Sequence, residues 1–119
     1  MTLPAKRNDR MAPPPPPGGY SVRFATNDAA KGWEELCRTA PSNAWEAWVV
    51  LSEHPTAIDN PNRQHLLKGA LRHHVHNGVV FDQWQYEVTS SGRIWYVADE
   101  KAKTVWVTRA GTGHPKLTD

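Results

Sequence analysis

FDQWQYEVTSSGRIWYVADEKAKTVWVTRA, residues 81–110, is the stretch of the chain that decides the fold. Apolar and polar residues alternate over Gln83–Val88, which is typical of a strand with one buried face. The predicted strands are residues 81–88, 93–99 and 104–110. The loop at residues 89–92 and the turn at residues 100–103 are short, so we expect the three strands to form an antiparallel meander.

Two helices are predicted upstream of this meander. The first follows an N-cap within residues 26–28, and its apolar residues recur at spacings of three and four up to Ala40. The second is expected to be capped by Ser42 or Asn43, since Asn43 and Glu46 have the spacing of a capping box. Its predicted buried residues are Trp45, Trp48, Val49 and Leu51. The joint between the helices is very short, so we expect an antiparallel helical hairpin.

Two further segments complete the predicted fold. Tyr20–Phe24 alternates apolar with polar residues, which indicates a half-buried strand. Leu66–Leu71 is ambiguous, and we interpret it as a strand or the start of one. The chain is therefore predicted to be an α+β domain with an N-terminal strand, a two-helix hairpin, and an antiparallel meander of three or four strands packed against the helices.

Residues 1–19 show no apolar periodicity, and residues 13–17 are an unbroken run of prolines. Such a run favours an extended polyproline II conformation, so we predict that residues 1–19 form a disordered tail. Residues 20–119 are predicted to form one domain, which suits a chain of 119 residues. Met11 is a second candidate for the natural start of the chain.

The charge is unevenly distributed along the sequence. Residues 20–62 carry three basic residues against six acidic ones, whereas residues 63–116 carry eight basic residues against four acidic ones. Five of the six histidines also lie in the second part. A basic face built from that part would suit a polyanionic partner, and the alternative is ordinary solvated surface charge. No run of about 18 apolar residues is present, so we expect no membrane span.

Three histidines, His73, His74 and His76, form a cluster before the meander. On a strand, His74 and His76 would point to one face, which suits a transition metal. No cysteine or nearby carboxylate completes an obvious set of four ligands, since Cys37 is the single cysteine. We therefore interpret the cluster as a polar loop without a metal, with a metal site at His74 and His76 as the alternative.

The order of strand, two helices and strands resembles the RelE/ParE superfamily of toxins, and short segments agree with it. Leu67–Leu71 is similar to the L-K-G-x-L segment of that family. Gly92–Asp99 is similar to its hairpin, in which an arginine opens a strand of the form R-I-x-Y-x-x-D. Thr104–Val107 matches the next strand, and Gly113–Lys116 lies where several members carry a functional histidine or tyrosine. The resemblance covers residues 20–116.

The resemblance implies a cytoplasmic toxin that a cognate antitoxin neutralises in a heterotetramer or larger complex. RelE-like members are ribosome-dependent endoribonucleases that cut mRNA without a metal, so this activity, with no cofactor, is the predicted function. Two alternatives stay open, because a fold does not fix a function. One is a ParE-like, non-catalytic inhibitor of DNA gyrase, and the other is a non-toxic or metal-binding interaction domain on the same scaffold.

Metal-free RNA cleavage needs a proton acceptor, a proton donor and stabilisation of the charged phosphate. Arg93 matches the strand arginine of the family and is predicted to stabilise the phosphate; the alternative is an ion pair with Glu87 across the hairpin. His114 is the predicted acid or base, because imidazole titrates near neutral pH. The predicted contacts to RNA phosphates are Lys68, Arg72 and Lys116.

Alternation along the strand at residues 93–99 constrains these roles. It places Tyr96 on the face opposite Arg93, so Tyr96 belongs to the core if Arg93 faces an open groove. The preceding strand offers Gln83, Gln85 and Glu87 where several RelE-like nucleases carry cations. The predicted fold therefore rests on segments along the whole domain, whereas the predicted reaction rests mainly on Arg93 and His114.

Overall fold

One strand and two helices come first along the chain, and five strands follow them. The computed structural model describes residues 4–11 and 14–113. Its helices are α1 (Asn27–Thr39) and α2 (Pro41–Glu53), and a 3-10 turn covers Gly69–Leu71. Its strands are β1 (Ser21–Phe24), β2 (Gln64–Leu66), β3 (His73–His76), β4 (Val79–Glu87), β5 (Arg93–Asp99) and β6 (Thr104–Gly111). Among the described residues, no helix has the length and apolar character needed to cross a membrane.

The strands join into one sheet in the order β1-β6-β5-β4-β2, and β3 pairs with another part of β4. β1 runs parallel to β6, and all other neighbouring strands are antiparallel. Both helices pack on one face of this sheet, which we call the helix face. The predicted α+β fold, with its helices against a mostly antiparallel sheet, is therefore confirmed.

The core lies between the helices and the helix face. Trp33, Leu36 and Leu51 of the helices pack with residues such as Ile94 and Tyr96 of β5, and all of these side chains are buried. Thr26 caps α1, because its Oγ1 accepts a hydrogen bond from the Ala29 backbone N–H at 2.9 Å. The cap at Thr26 thus fixes where α1 begins. The spacing of its apolar residues fixes which side of the helix packs on the sheet.

The start of α2 differs from the prediction. The helix begins at Pro41 behind Ala40, with no side-chain cap, because the fixed φ of proline already suits the first helical position. Asn43 instead donates from Nδ2 to the backbone oxygen of Val88 at 2.9 Å and so fastens α2 to the end of β4. Trp45 was predicted to be buried, but 56% of it is exposed, and it stacks on Trp48 with 5.3 Å between the ring centroids.

The predicted disorder of residues 1–19 is wrong for residues 4–11. Their backbone pairs with β1: Asn8 N–H donates to Phe24 O at 2.7 Å, and Met11 N–H donates to Val22 O at 2.7 Å. Met11 is 1% exposed and belongs to the core. The physical reason is that β1 is an edge strand whose outer backbone groups need partners, and this short segment supplies them without any apolar period.

The region before β4 also differs from the prediction. Residues 73–76, interpreted as loop, form β3, which a two-residue turn at Asn77 and Gly78 joins to β4. Both turn residues have positive φ, 50° and 79°, as a tight hairpin of this type requires. The ambiguous Leu66–Leu71 segment contains only the last residue of β2 and then turns through the 3-10 turn.

Candidate functional site

A groove of about 670 Å³ lies on the face of the sheet opposite the helices. β3 folds over this open face, since the His76 ring lies 4.3 Å from the Trp106 ring of β6. The groove runs between β3, the end of β6 and the first turn of α1. We call it the open-face groove; the polar and aromatic side chains that line it include His73, His74, Gln83, Trp95, Thr108 and Arg109.

A β-bulge in β6 puts Arg109 into the open-face groove. Val105 and Val107 are buried on the helix face, so strict alternation would put Arg109 on that face as well. The register shifts between Trp95 and Tyr96, so that Tyr96 pairs with Val107 and Trp95 pairs with Arg109. The extra residue reverses the alternation and brings Arg109 to the open face.

The Arg109 guanidinium lies over the indole ring of Trp95, with 5.3 Å from Cζ to the ring centroid. A cation over an aromatic face is attracted by the electrons of the ring. Within residues 4–11 and 14–113, no carboxylate lies within 4.0 Å of this guanidinium. Arg109 is exposed, and its charge is available to an anionic ligand in the groove.

Glutamines on β4 hold the floor of the groove in place. Trp95 donates from Nε1 to Gln85 Oε1 at 2.9 Å, and Gln85 Nε2 lies 3.4 Å from His65 Nε2. Thr108 donates from Oγ1 to Gln83 Oε1, while Gln83 Nε2 donates to Leu71 O at 2.9 Å. Gln85 thus fixes Trp95, the platform on which Arg109 lies, and Gln83 links Thr108 to the backbone of Leu71.

A cluster of charged and imidazole side chains lies on β3 and β4, and only its His73 also lines the open-face groove. Asp82 Oδ1 lies 3.5 Å from His73 Nδ1 and 3.3 Å from Arg72 Nε. These side chains are only partly buried, with 65% of His73 and 48% of Asp82 exposed. The cluster is therefore reachable from the solvent.

His74 and His76 lie on the same strand, two residues apart. Burial lowers the pKa of the His74 imidazole, and burial together with the neighbouring His74 lowers the pKa of His76. In the described part of the chain, no group of three or more histidine, cysteine, aspartate or glutamate side chains is placed to hold a metal ion. His74 lines the open-face groove, whereas His76 packs on Trp106.

Arg93, the predicted phosphate ligand, lies at the start of β5 and is 9% exposed. Its Nη1 donates to Thr89 O at 2.8 Å and to Gly92 O at 3.1 Å, and it lies 3.9 Å from Glu87 Oε1. These contacts match the alternative interpretation, an arginine that ties its own hairpin together. The structure does not bring Arg93 among the residues that line the open-face groove.

The other predicted site residues are Lys68, Arg72, His114 and Lys116. Lys68 is exposed beside the 3-10 turn, and Arg72 pairs with Asp82; none of these three residues is among those that line the groove. His114 and Lys116 lie outside the described residues, although Gly113, which precedes them, lines the groove. Their proposed roles stay predictions.

Two residues of the groove, Trp95 and Arg109, were not anticipated as site residues. The β-bulge that reorients Arg109 leaves no mark in the sequence, because Thr108 fits either register. A signal for β3 was present, since Asn77-Gly78 between two short segments is a strong indicator of a tight hairpin.

In comparisons with known proteins, no family model matches the chain, and no curated protein matches it. The resemblance to the RelE/ParE superfamily therefore stays a prediction.

Proposed function

We propose that the protein is the toxin of a toxin–antitoxin pair and a metal-independent, ribosome-associated endoribonuclease that cleaves mRNA in its open-face groove. The observation that carries the proposal is Arg109, an exposed guanidinium without a carboxylate partner among the described residues, held over Trp95 beside two imidazoles. The antitoxin is the expected partner, in a heterotetramer or larger complex in the cytoplasm.

The groove holds the chemical groups that metal-free RNA cleavage uses. A guanidinium grips two phosphate oxygens at once and keeps its charge at every physiological pH, so Arg109 suits the developing phosphorane. His73 and His74 supply imidazoles, and the lowered pKa of His74, caused by burial, favours its neutral, proton-accepting form at pH 7. His114 stays a candidate for the proton donor, since it follows Gly113 directly in sequence.

The dimensions and charge of the groove also suit a short segment of RNA. Its volume of about 670 Å³ lies within the range of roughly 300–1,000 Å³ that is usual for small-ligand sites. Lys68 is exposed and lies two residues before Ala70, which lines the groove, so its charge is proposed to meet a flanking phosphate. Arg72 follows the lining residue Leu71 and is proposed as a second such contact, although it also pairs with Asp82. Asp28, in the first turn of α1, is the one carboxylate residue among the described residues that line the groove.

The test is induced expression of the protein in a bacterial host with mapping of mRNA 5′ ends. Wild-type protein is expected to arrest growth and to produce new 5′ ends within coding regions. Arg109→Ala is expected to reduce cleavage by about 100-fold, which is the loss typical for removing one charge-stabilising donor. Arg38→Ala is the matched control, because it removes the same side chain from an exposed site in the last turn of α1. Full cleavage by Arg109→Ala would overturn the site assignment.

A second candidate is a ParE-like inhibitor that binds DNA gyrase without catalysis. It is favoured by the arginines near the sheet that are already engaged: Arg72 pairs with Asp82, and Arg93 binds its own hairpin. Purified protein would then inhibit supercoiling by gyrase and leave translated mRNA intact. Unaffected supercoiling together with cleaved mRNA would rule this candidate out.

A further inference from the structure

We infer that a gap between β4 and β5 is a docking site for an extended segment of a partner protein that carries apolar and basic side chains. The inference goes beyond the proposed function and does not depend on it. Its basis is that the two strands separate here along a hollow of about 800 Å³. We call this hollow the strand gap; residues 79–82 of β4 and 98–99 of β5 lie along its two sides.

The registers show where the strands separate. β4 and β5 pair as far as Gln83 and Val97 and no further. Residues 79–82 of β4 nevertheless continue along β3, and residues 98–99 of β5 continue along β6. Each strand therefore has a neighbour on its outer side and none on the side that faces the strand gap, among the described residues.

Hydrogen bonding on β4 shows which of its main-chain groups face the strand gap. The Gln83 N–H donates to Arg72 O at 2.7 Å, and the Gln83 C=O accepts from the Leu67 N–H at 2.9 Å. Gln83 thus turns its main-chain groups toward β2 and β3. Successive residues of a strand turn these groups to opposite sides, so Asp82 and Val80 turn theirs toward β5 and into the gap.

β5 contributes a matching edge. The Val107 C=O accepts from the Ala25 N–H at 2.8 Å, so Val107 faces β1 and the preceding Trp106 faces β5. Trp106 is the partner of Val97, which therefore faces β6. Ala98 is the next residue of β5, and its N–H and C=O turn into the strand gap. In the described part of the chain, no backbone group pairs with these edges across the gap.

Apolar side chains surround these unpaired edges. Val79 and Val80 are 52% and 63% exposed, and they line the strand gap together with Trp84 and Ala98. A strand edge with unpaired main-chain groups is a template for pairing with another extended chain. Main-chain hydrogen bonds then supply affinity, and hollows for alternate side chains supply specificity. The gap therefore suits an extended segment with an apolar side chain.

Charge selects the kind of segment. The strand gap is lined by three carboxylates and one lysine, which are Asp82, Asp99, Glu100 and Lys101. Asp82 already pairs with Arg72, whereas Glu100 is exposed and has no cation within 4.0 Å among the described residues. Lysine or arginine beside the apolar residue of the segment complements this charge, and an acidic segment is repelled.

The competing explanation is a hydrated edge that the charge of Asp82 protects from pairing, as charged residues do on many edge strands. Amide hydrogen exchange separates the two explanations. A paired segment puts the N–H groups of Val80, Asp82 and Ala98 into hydrogen bonds, so their exchange with solvent slows. Around a hydrated edge, the same amides exchange quickly whatever is added.

The experiment measures peptide binding to the full-length protein by fluorescence anisotropy and amide exchange by NMR. The probe is a labelled hexapeptide of alternating lysine and valine, and its control is the hexapeptide of alternating glutamate and valine. The lysine peptide is expected to bind and to slow exchange of the Val80, Asp82 and Ala98 amides by at least about tenfold. Glu100→Lys is expected to weaken its binding by about tenfold. Glu46→Lys, the same reversal at an exposed site on α2, is the matched control and is expected to bind as wild type does.

The other outcomes overturn the inference in different ways. No binding of the lysine peptide would remove the docking site, and binding without slower exchange at the three amides would remove the strand pairing. Equal affinity for both peptides, or an unchanged affinity in Glu100→Lys, would refute the selection by charge. Amides that exchange slowly without peptide, and more slowly at higher protein concentration, would assign the strand gap to a second copy of the chain. Slow exchange at every protein concentration would show that the gap is closed within one chain.

Discussion

For the single residue Arg93, a sequence motif predicted the place in the chain correctly but not the direction of the side chain. Its place at the start of a strand was predictable, but the direction of its guanidinium was decided by the loop at residues 89–92, whose carbonyls it binds. We expect Arg93→Ala to lower the free energy of unfolding by about 1–3 kcal/mol, since buried carbonyls lose a charged donor. Urea denaturation measures this loss, with Arg38→Ala as the exposed control. Unchanged stability with abolished cleavage would instead support the catalytic role.

Tyr96 belongs to the core, whereas the sequence made its burial depend on whether Arg93 faces an open groove. It is fully buried, donates from its hydroxyl to Pro55 O at 2.8 Å and accepts from Gln64 Nε2 at 2.9 Å. Burial raises its pKa, with the Gln64 hydrogen bond acting in the opposite direction. The folded state therefore holds the neutral phenol at a pH where the unfolded chain ionises.

A loss of stability at high pH follows from that raised pKa. Below about pH 10 the tyrosine is neutral in both the folded and the unfolded state, so its ionisation does not change the free energy of unfolding. Above about pH 10 the unfolded state releases a proton that the folded state retains. We expect the free energy of unfolding to fall as the pH rises from 9 to 11 (roughly the range around the ordinary tyrosine pKa), and to fall less steeply in Tyr96→Phe. Equal slopes in urea titrations of the two proteins would contradict the assignment.

At the scale of elements, the β3–β4 hairpin was the largest miss, and its cause is physical. The histidines of β3 suggested polarity, and the segment shows no buried face because Val75, Val79 and Val80 are exposed in the structure. Apolar alternation finds strands that cover a core, and this hairpin instead extends beyond the core. The turn residues were the better signal, since their conformation depends on local backbone sterics alone.

Gly78 offers a direct test of that hairpin. Its φ is 79°, a conformation that side chains with a Cβ rarely adopt, while an added Cβ would meet no atom within 4 Å. We therefore expect Gly78→Ala to cost about 1 kcal/mol from backbone strain alone and to weaken hydrogen-exchange protection in β3. Gly111→Ala is the control, because its Cβ also meets open space but its φ is not positive. Equal effects of both variants would argue against the tight turn.

At the scale of the whole molecule, the boundary of the folded unit lies further toward the N-terminus than the proline run suggested. Residues 4–11 were predicted to be disordered because they are held by one buried side chain and a few backbone hydrogen bonds, which leave no apolar periodicity in the sequence. Ala5 N–H donates to Glu34 Oε1 at 2.8 Å, and Arg7 N–H donates to Asn27 Oδ1 at 2.8 Å, so the segment also contacts α1. The same few residues thus contact both the edge of β1 and α1.

Met11 carries the apolar part of this attachment and provides the last test. Met11→Ala is expected to lower the free energy of unfolding by about 2–4 kcal/mol, because the buried side chain leaves a cavity next to β1. A chain that begins at Met11 keeps that side chain but lacks the hydrogen bonds of residues 5–9. The decrease in its free energy of unfolding therefore measures what those hydrogen bonds contribute. Pro14→Ala, at an exposed position beyond the segment, is the control. If both altered chains unfolded at the wild-type denaturant concentration, residues 4–11 would contribute nothing to the fold, and the disordered tail predicted from the sequence would be the better description.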